Sequence, residues 1–530
     1  MALWLRDLRL DIDQDEAGLP AMAARLIGRP VHDLQQFRVI RRSLDARRKG
    51  RPLRVYTVEF SLADEQALLD QSPPLAALAP APPPVAISLP RVTGTHPVLV
   101  VGMGPAGLFA AKWLAEAGLK VVLVERGRKV EQRVADVEDF WRHGRLDPHS
   151  NVQFGEGGAG TFSDGKLTTR LNHPWRQHVL ETLVRFGAQP EILIEARPHV
   201  GTDRLRRTIR AFRRYLLDLG VEIRFGSCLT GLETRRGRVV GGILNDRELV
   251  ACEALVLAPG HSARDTYARL ARAGVHLEAK GFAIGVRVEH PAALIDGIQY
   301  GSAAGRKLPT ADYALRYNDA ESGRGVYSFC MCPGGEVINA ASEPDGLVVN
   351  GMSRSARASG RSNSALVVSV TPADWDGSPL GGVAFQRLWE QRAFSAGGGG
   401  FLAPAQNLLA FAGRGSGPLL SSCRPGVAEA DLGEVLPEFV SQGLRRALPH
   451  FERQMRGFLT AEAVLVGVET RTSAPLRIVR DPHGESVSHP GLFPAGEGAG
   501  YAGGIMSAAL DGLGAAERIL RQFTPAGVFR

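Results

Sequence analysis

Short apolar runs, glycine-rich turns and helix-like periodicity follow one another in the central part of the chain. Val98–Val101 is an uninterrupted apolar run of strand length, an apolar periodicity then continues to Gly118, and 121–124 is a second apolar run. Strands buried on both faces read as continuous apolar runs, and helices that cover a sheet show a period near 3.6 residues. This pattern predicts a strand–helix–strand unit of a parallel sheet and therefore an α/β fold.

A related pattern lies near the C-terminal end. Leu492 and Phe493 read as a short strand, and the stretch 496–512, GEGAGYAGGIMSAALDG, contains six glycines. Apolar positions recur from residue 505 at spacings of three and four, which predicts a helix that begins at about Gly504. Because each glycine costs backbone entropy on folding, this density predicts that a ligand or another backbone segment approaches closely here.

The first 62 residues form a separate pattern. LWLRDLRLDI alternates as a strand does, EAGLPAMAARLIG has helical character, and FRVIRRSLDAR and LRVYTVEFSL predict two further strands. Residues 63–95 are rich in proline and predict an extended, semi-rigid linker. We therefore expect a small α+β N-terminal domain at 1–62, a linker at 63–95, and few contacts between this domain and the rest of the chain.

Composition narrows the class of protein. Hydrophobic residues make up 44% of the 530 residues and charged residues 22%, as is usual for soluble globular proteins. The N-terminus becomes charged within six residues, and no run of about 18 apolar residues occurs. We therefore expect neither a signal peptide nor a membrane helix, and we expect a cytoplasmic location.

The net charge of +8 does not indicate a nucleic-acid surface. Only seven of the 63 basic residues are lysines, and arginine is spread along the whole chain without a dense basic tail. We do not expect nucleic acid as a partner. The five cysteines are too scattered for a disulfide framework, and no His or Cys spacing predicts a metal site.

The turn after the first apolar run carries the motif Gly102-x-Gly104-x-x-Gly107. In such a turn the first glycine permits the bend, the second lets a pyrophosphate approach the backbone, and the third lets helix and strand pack closely. The helix start offers N–H groups and positive potential to the phosphates. Glu125, at the end of the second apolar run, is placed to accept hydrogen bonds from a ribose diol. With strand, helix and acid in register, the motif predicts a dinucleotide site.

The C-terminal glycine-rich stretch favours FAD over NAD. A helix that begins at about Gly504 suits the N1/C2 carbonyl region of a flavin, because positive helix potential favours the reduced, anionic ring. Glu497 is placed to bind a ribityl hydroxyl. The sequence contains no second strand–GxGxxG–helix unit for a nicotinamide. NADH or NADPH is therefore left open as a transient reductant that uses the substrate cavity.

Seven segments between Gly102 and Gly512 carry a family resemblance: VGMGPAGLFAA, NVQFGEGGAGTFSDGKL, LAPGHSARDT, YSFCMCPGGEV, GRSNSALVV, GVETRTSAPLRI and LFPAGEGAGYAGGIMSAALDG. Through them the chain resembles bacterial FAD-dependent dehydrogenases of the two-dinucleotide-binding-domain flavoprotein superfamily, in particular a largely uncharacterised subfamily of about this length. The resemblance implies FAD and redox chemistry but no particular substrate. We predict a discontinuous Rossmann-like FAD-binding domain at 96–260 and 481–530, with an inserted mixed α/β substrate domain at 261–480.

In related flavoproteins the loop that corresponds to 154–167 lies along the flavin. The resemblance therefore places residues 158–160 against the cofactor. It also places Lys166 near flavin N5 or the substrate, where it would polarise a carbonyl or hold the charge of the reduced flavin. A structural pair of Lys166 with Asp164 is the alternative. Gly260, which ends an apolar strand, is placed near the adenine half of FAD by the same resemblance.

Two further groups are candidates for chemistry. Arg471 shortly precedes the last glycine-rich stretch, and a buried arginine there is suited to bind a carboxylate or phosphate of an anionic substrate. Cys330 and Cys332 lie two residues apart on a predicted strand, at the edge of what a disulfide spans. We expect them to pack beside the Pro-Gly-Gly turn that follows, and one cysteine facing the flavin as a lone thiol is the alternative.

The predicted catalytic residues are thus Lys166 and Arg471. The predicted cofactor-binding residues are Gly102, Gly104, Pro105, Ala106, Gly107, Glu125, Arg126, Gly158, Ala159, Gly160, Gly260, Gly496, Glu497, Ala502, Gly503, Gly504 and Ile505. We predict an FAD-dependent oxidoreductase, a dehydrogenase, that acts on an unidentified small molecule by hydride transfer at flavin N5. A flavin-dependent RNA-modifying enzyme and a non-catalytic FAD-binding sensor are the alternatives, and the oligomeric state is left open.

Overall fold

The structure is a computed structural model that describes residues 2–70, 76–83 and 85–524. Its strands are β1 Leu3–Asp11, β2 Gln35–Asp45, β3 Leu53–Ser61, β4 Leu78–Pro80, β5 Val98–Val101, β6 Val121–Glu125, β7 Glu222–Phe225, β8 Leu229–Arg235, β9 Arg238–Leu244, β10 Glu248–Ala251, β11 Ala254–Leu257, β12 Leu277–Ala279, β13 Phe282–Pro291, β14 Arg316–Asn318, β15 Gly325–Cys332, β16 Glu336–Asn339, β17 Val349–Met352, β18 Arg361–Val370, β19 Ala403–Asn407, β20 Val427–Glu429, β21 Val464–Glu469, β22 Leu476–Ile478 and β23 Leu492–Pro494. Its α-helices are α1 Leu19–Ile27, α2 Glu65–Leu69, α3 Pro105–Glu116, α4 Val130–His143, α5 Arg176–Arg185, α6 Thr202–Asp218, α7 Arg264–Arg272, α8 Ala292–Tyr300, α9 Gly381–Ala396, α10 Leu408–Phe411, α11 Leu432–Val435, α12 Glu438–Gln454 and α13 Ile505–Gln522.

A five-stranded parallel sheet, in the order β23-β11-β5-β6-β7, carries the glycine-rich turns. Side chains alternate between the two faces of a strand. Val98 and Val100 of β5 therefore join the core under α3 and α13, whereas Leu99 and Val101 join the core under the antiparallel sheet β10-β9-β8. Burial on both faces explains why β5 is an uninterrupted apolar run. The predicted α/β fold class and the strand–helix–strand unit are confirmed.

A second sheet lies within residues 282–469 and has the order β14-β15-β18-β13-β21-β19-β20. Its strands pair mainly antiparallel, and α12 covers one of its faces through the buried side chains Val440, Leu444 and Phe451. The C-terminal ends of β15 and β21, at Cys332 and Glu469, lie close to the cavity described below. This sheet thus supplies the wall of the site that faces the parallel sheet.

The N-terminal sheet has the order β2-β3-β1-β4 and packs against α1, and the strands and helix predicted for 1–62 are confirmed. The expectation of few contacts with the rest of the chain is wrong. The Arg42 N–H donates to the Ile194 carbonyl at 2.7 Å, and the Ala196 N–H donates back to the Arg42 carbonyl at 2.8 Å. The N–H of Gly50 also donates to the Tyr300 carbonyl. Main-chain bonds of this kind join the N-terminal sheet to the body of the protein.

The proline-rich stretch also contains more regular secondary structure than the predicted linker. Within 63–95, the short helix α2 forms, and β4 pairs antiparallel with β1, so this part extends the N-terminal sheet. Ile87 and Leu89 pack against the core of the parallel sheet, and Val92 is buried in it. Apolar side chains between the prolines explain the difference, because some pack against the core of the N-terminal sheet and others against the core of the parallel sheet. Residues 71–75 and 84 of the predicted linker lie outside the described residues. The division of the chain into domains stays a prediction.

We expect Arg42→Ala to loosen the N-terminal sheet. The guanidinium donates to Glu195 at 2.9 and 2.6 Å and to Glu16 at 2.7 Å, so it connects the two bodies. Loss of about 1–2 kcal/mol of docking free energy should make proteolysis between residues 63 and 95 about 5- to 30-fold faster. Arg38→Ala is the matched control, because Arg38 pairs with Glu59 inside the N-terminal sheet. Equal cleavage rates for the two variants would contradict this role.

Candidate functional site

The glycines of the turn between β5 and α3 have two different roles. Two of them permit close packing of the protein backbone, and one leaves space for a ligand. Gly102 has φ +96°, and an added Cβ there would overlap the Ala258 carbonyl; a Cβ at Gly107 would overlap the Gly102 carbonyl. Around a Cβ on Gly104, by contrast, the nearest atom is the Gly158 Cα at 3.9 Å. Gly102 and Gly107 are therefore required by the protein itself. Gly104 keeps space open in front of the backbone, where the sequence predicts a pyrophosphate.

Glu125 lies at the end of β6 with a fixed carboxylate. The backbone N–H groups of Met103, Gly127 and Gly155 donate to it at 2.9, 2.9 and 3.0 Å. An ionised carboxylate offers about four acceptor positions, so one remains for a ribose hydroxyl. The neighbouring Arg126 is held by Asp265 at 2.9 Å and lies over the Phe154 ring.

The loop that ends at Gly158 is held by a residue that the sequence did not indicate. Arg133, on α4, is fully buried, and its guanidinium donates to the carbonyls of five loop residues, namely Asn151, Val152, Gly155, Glu156 and Gly158. The loop thereby reaches the Gly104 turn, and a Cβ on Gly160 would lie 3.0 Å from Ile505 at the start of α13. The amphipathic pattern of α4 gives no signal for this role.

The C-terminal motif brings α13 onto α3. A Cβ on Gly512 would overlap the Ala106 backbone, so this glycine lets the two helices touch. Gly503 and Gly504 differ, because a Cβ added at either would meet no protein atom within 4 Å. Burial raises the pKa of Glu497 to about 7, and a hydrogen bond from the Gly504 backbone opposes that shift. The glycines of this stretch thus serve both helix packing and open space beside the helix start.

These turns open into one cavity of about 1910 Å³. Every predicted cofactor-binding residue except Gly107 and Ala502 lines it. Gly107 packs helix against strand instead, and Ala502 packs against the core of the parallel sheet. Two helix starts, glycine backbone that faces open space and a buried carboxylate with a remaining acceptor position fit an extended dinucleotide such as FAD. Their individual roles stay predictions.

The two predicted catalytic residues have different surroundings. The Lys166 ammonium lies in the cavity wall and donates to the Met331 carbonyl. The predicted alternative partner, Asp164, is bound instead by Arg357 and by the Ser353 hydroxyl. Burial alone would raise the pKa of Asp164, but Arg357 and Lys166 lower it. Lys166 thus faces the cavity without a direct hydrogen bond to Asp164.

Arg471 also reaches the cavity wall, but its guanidinium is bound internally. It donates to both carboxylate oxygens of Glu390 at 3.0 and 2.7 Å, and to the hydroxyls of Ser262 and Ser342 at 3.0 and 2.6 Å. Glu390 also receives two hydrogen bonds from Arg264, and both arginines are buried. A buried arginine bound by its own carboxylate has few donors left for a substrate, and the predicted anion-binding role of Arg471 stays a prediction.

Acidic and sulfur groups line the same cavity as Lys166 and Arg471. Glu469 ends β21 and accepts a hydrogen bond from Arg287 at 2.8 Å. Burial raises its pKa to about 7, although the Arg287 charge acts in the other direction. Cys330 lines the same cavity. Burial lowers the pKa of His261 to about 3, so this imidazole is neutral near pH 7.

No helix within residues 2–70, 76–83 and 85–524 has both the length and the apolar character that a membrane crossing requires. Among these residues, no group of three or more His, Cys, Asp or Glu side chains is arranged to hold a metal ion.

Comparisons with known proteins agree with this geometry. Residues 281–472 match the model of a FAD-dependent protein C-terminal domain, 95–134 match an FAD binding domain, and 5–61 match a domain of unknown function. An uncharacterized protein of Clostridium beijerinckii is 42% identical over 540 residues and is covered to 99%, as is this chain.

More distant matches include a menaquinone reductase of Mycolicibacterium smegmatis, which is 28% identical over 245 residues, 43% of this chain and 54% of that protein. Among solved structures, glycerol-3-phosphate dehydrogenase from Bacillus halodurans complexed with FAD has a TM-score of 0.36 at 12% identity and covers 80% of this chain and 65% of that one. The chain belongs to the same family as the Clostridium beijerinckii protein, and its matched segments are those of an FAD-dependent protein with an FAD binding domain.

Proposed function

We propose that the protein is a dehydrogenase that acts on a small molecule by hydride transfer at flavin N5. The observation that carries this proposal is the continuity of the cavity. Its volume of about 1910 Å³ exceeds the roughly 300–1,000 Å³ of a pocket for one small ligand. One part is lined by glycine backbone, and the other by charged side chains, which suits a cofactor and a substrate side by side.

Bound FAD would supply the two-electron chemistry, and the residues predicted from the sequence would hold it. Gly104 and the α3 start would face the pyrophosphate, Glu125 the ribose, and Gly503 and Gly504 the ring. The glycine backbone at these positions lines the cavity and leaves room for the cofactor. What remains for the other side chains is to bind the substrate, orient it and move a proton.

Lys166 and Glu469 are suited to these tasks. An ammonium has three donors, so Lys166 can bind a substrate oxygen while it also donates to Met331. The Glu469 carboxyl can take up or release a proton near pH 7, because burial raises its pKa to about 7. Oxidation of an alcohol or amine needs such a proton acceptor, and the reverse reduction needs the corresponding donor.

Basic side chains at the N-terminal side of the cavity support an anionic substrate. Arg9 and Arg54 of the N-terminal sheet line this part, and so does Lys307. Arg54 donates to the Lys307 backbone carbonyl at 3.3 Å, so Arg54 contacts the segment that carries Lys307. With Arg471 bound internally, these three residues are the better candidates for a carboxylate or phosphate. NADH or NADPH, as a transient reductant, would meet the same charges.

The test is anaerobic reduction of the purified holoprotein across a panel of hydroxy acids, amino acids, NADH and NADPH, read by flavin absorbance. We expect at least one anionic compound to bleach the flavin faster than its neutral ester or amide. A holoprotein that dithionite reduces but no panel member does would argue against a dehydrogenase and for the sensor alternative.

We expect Lys166→Met to slow flavin reduction by the best compound of the panel by about 10- to 100-fold, with FAD content unchanged. Methionine keeps the apolar length of the side chain but removes the charge that binds the substrate oxygen. The expected slowing corresponds to a loss of about 1.4–2.7 kcal/mol of transition-state binding. Stopped-flow absorbance measures the rate. Lys120→Met is the control, since Lys120 is exposed and does not line the cavity. Equal rates of flavin reduction in the two variants would show that Lys166 has only a structural role.

A further inference from the structure

The C-terminal end of β15 is irregular, and its two cysteines differ in exposure. The register with β18 shifts between Phe329 and Cys332, and Cys330 has φ +42°, a conformation that costs energy for a residue with a side chain. In a regular strand both side chains would point to one face. Here Cys332 is buried, whereas Cys330 is exposed to the cavity. The sequence predicts packing beside the Pro-Gly-Gly turn or, alternatively, one lone thiol facing the flavin. Neither prediction by itself describes the positions of both cysteines.

A buried arginine holds this bulge in place. The Arg287 guanidinium donates to the Cys330 carbonyl at 2.8 and 3.3 Å, to Glu469 at 2.8 Å and to the Asn363 side-chain oxygen at 3.0 Å. Arg287 is fully buried, so its charge acts through a medium of low polarity. Such strain persists where the surroundings fix it, and strained residues cluster at functional sites.

The Cys330 and Cys332 side chains interact with each other. The Cys332 thiol donates to the Cys330 carbonyl at 3.6 Å. Interaction with the Cys332 side chain lowers the pKa of Cys330, and the positive charges of Arg287 and Lys166 add to this effect, against burial. The same interaction and burial raise the pKa of Cys332. The charged side chains that act on Cys330 are Asp164, Lys166, Arg287, Glu469 and Glu497.

We propose that Cys330 and Cys332 form a redox-active dithiol site for low-molecular-weight disulfides that enter the cavity. The Cys330 thiolate attacks one sulfur of the disulfide RSSR, which forms a mixed disulfide and releases RS⁻. The released RS⁻ takes up the Cys332 proton, and the Cys332 sulfur attacks the Cys330 sulfur, which closes an intramolecular disulfide and releases the second RS⁻. The small disulfide is reduced to two thiols, the protein dithiol is oxidised, and an added dithiol such as dithiothreitol reverses the sequence.

The test treats the holoprotein, with its cysteines in the thiol form, with 2-hydroxyethyl disulfide. Intact-mass measurement and peptide mapping then identify the products. The mass of the native protein should fall by that of two hydrogen atoms, with no reagent attached. The new disulfide should join residues 330 and 332. Cys332→Ser should retain one half of the reagent on Cys330. Cys330→Ser should react at this site at least about 10-fold more slowly, because the remaining thiol is buried and protonated. Cys423→Ser, at a buried cysteine of the antiparallel-sheet core, should behave as the native protein does.

A second measurement needs no variant and so does not depend on its folding. Iodoacetamide labelling of the native holoprotein between pH 6 and 9, with quantification of each cysteine peptide, should modify Cys330 before Cys228. Its rate should reach a plateau at lower pH than that of Cys228, whose pKa is raised by burial. Cys330 labelling no faster than Cys228, or a mixed disulfide on the native protein that never closes, would overturn the proposal.

Discussion

Gly104→Val is expected to deprive the protein of FAD and leave the chain folded. A Cβ at Gly104 would find no protein atom closer than the Gly158 Cα at 3.9 Å, so the side chain would extend into the cavity and not into the core. There it would occupy the space that we assign to the pyrophosphate, and it would separate the phosphates from the N–H groups of the α3 start. We expect FAD affinity to fall by at least about 100-fold, which corresponds to about 2.7 kcal/mol.

The ratio of flavin to protein absorbance measures occupancy, and circular dichroism with thermal unfolding of both apoproteins measures folding. Gly297→Val is the matched control: a Cβ on this exposed glycine of α8 also meets nothing within 4 Å, but the residue does not line the cavity. The control should purify with a full complement of FAD. A yellow Gly104→Val protein with native flavin content would show that the phosphates lie elsewhere.

Glu390→Gln should be the most destabilising of the polar substitutions considered for this chain. Glu390 is fully buried between Arg264 and Arg471 and pairs with both, and Arg264 also pairs with Glu343 at 2.6 Å. Burial alone would raise the pKa of Glu390, but the two arginines hold it well below its usual range. Removal of the charge leaves the buried Arg471 guanidinium without its paired carboxylate and Arg264 with Glu343 alone, which costs about 3–5 kcal/mol.

Urea unfolding at pH 7 measures the loss, with Glu138→Gln as the matched control. Glu138 forms an exposed i,i+4 pair with Arg142, for which about 0.3–0.5 kcal/mol is expected. Because the folded-state pKa of Glu390 lies below its unfolded value of 4.5, its contribution is complete above that pH and declines as pH falls below it. A difference between the variants of less than about 1 kcal/mol would contradict the role of this ion pair.

The parts that could be predicted from the sequence are those in which neighbours along the chain determine the structure. The run Val98–Val101 had to be a strand buried on both faces, and the glycines around it had to occupy a tight turn. The helix that begins at Ile505 was likewise evident from its period. For these segments local preference and tertiary packing agree.

The parts that could not be predicted depend on partners far apart in the chain. Arg471 has the composition of an anion site, but Glu390, on α9, already binds it. Arg133 supports the loop beside the cavity through backbone carbonyls, which have no signature in sequence. The spacing of Cys330 and Cys332 predicts one shared face, and a bulge, which spacing alone does not reveal, places them in different surroundings.

The contact between α3 and α13 has a consequence for how the protein is made. Glu116 ends α3 and Ile505 begins α13, so a ribosome that adds about 5–20 residues per second takes on the order of 20–80 s to supply the second helix after the first. During that time the small apolar residues of α3 have no final partner, and half of the flavin site does not exist. Cofactor loading is therefore expected to follow the synthesis of α13, and the face of α3 that packs on α13 stays uncovered until then.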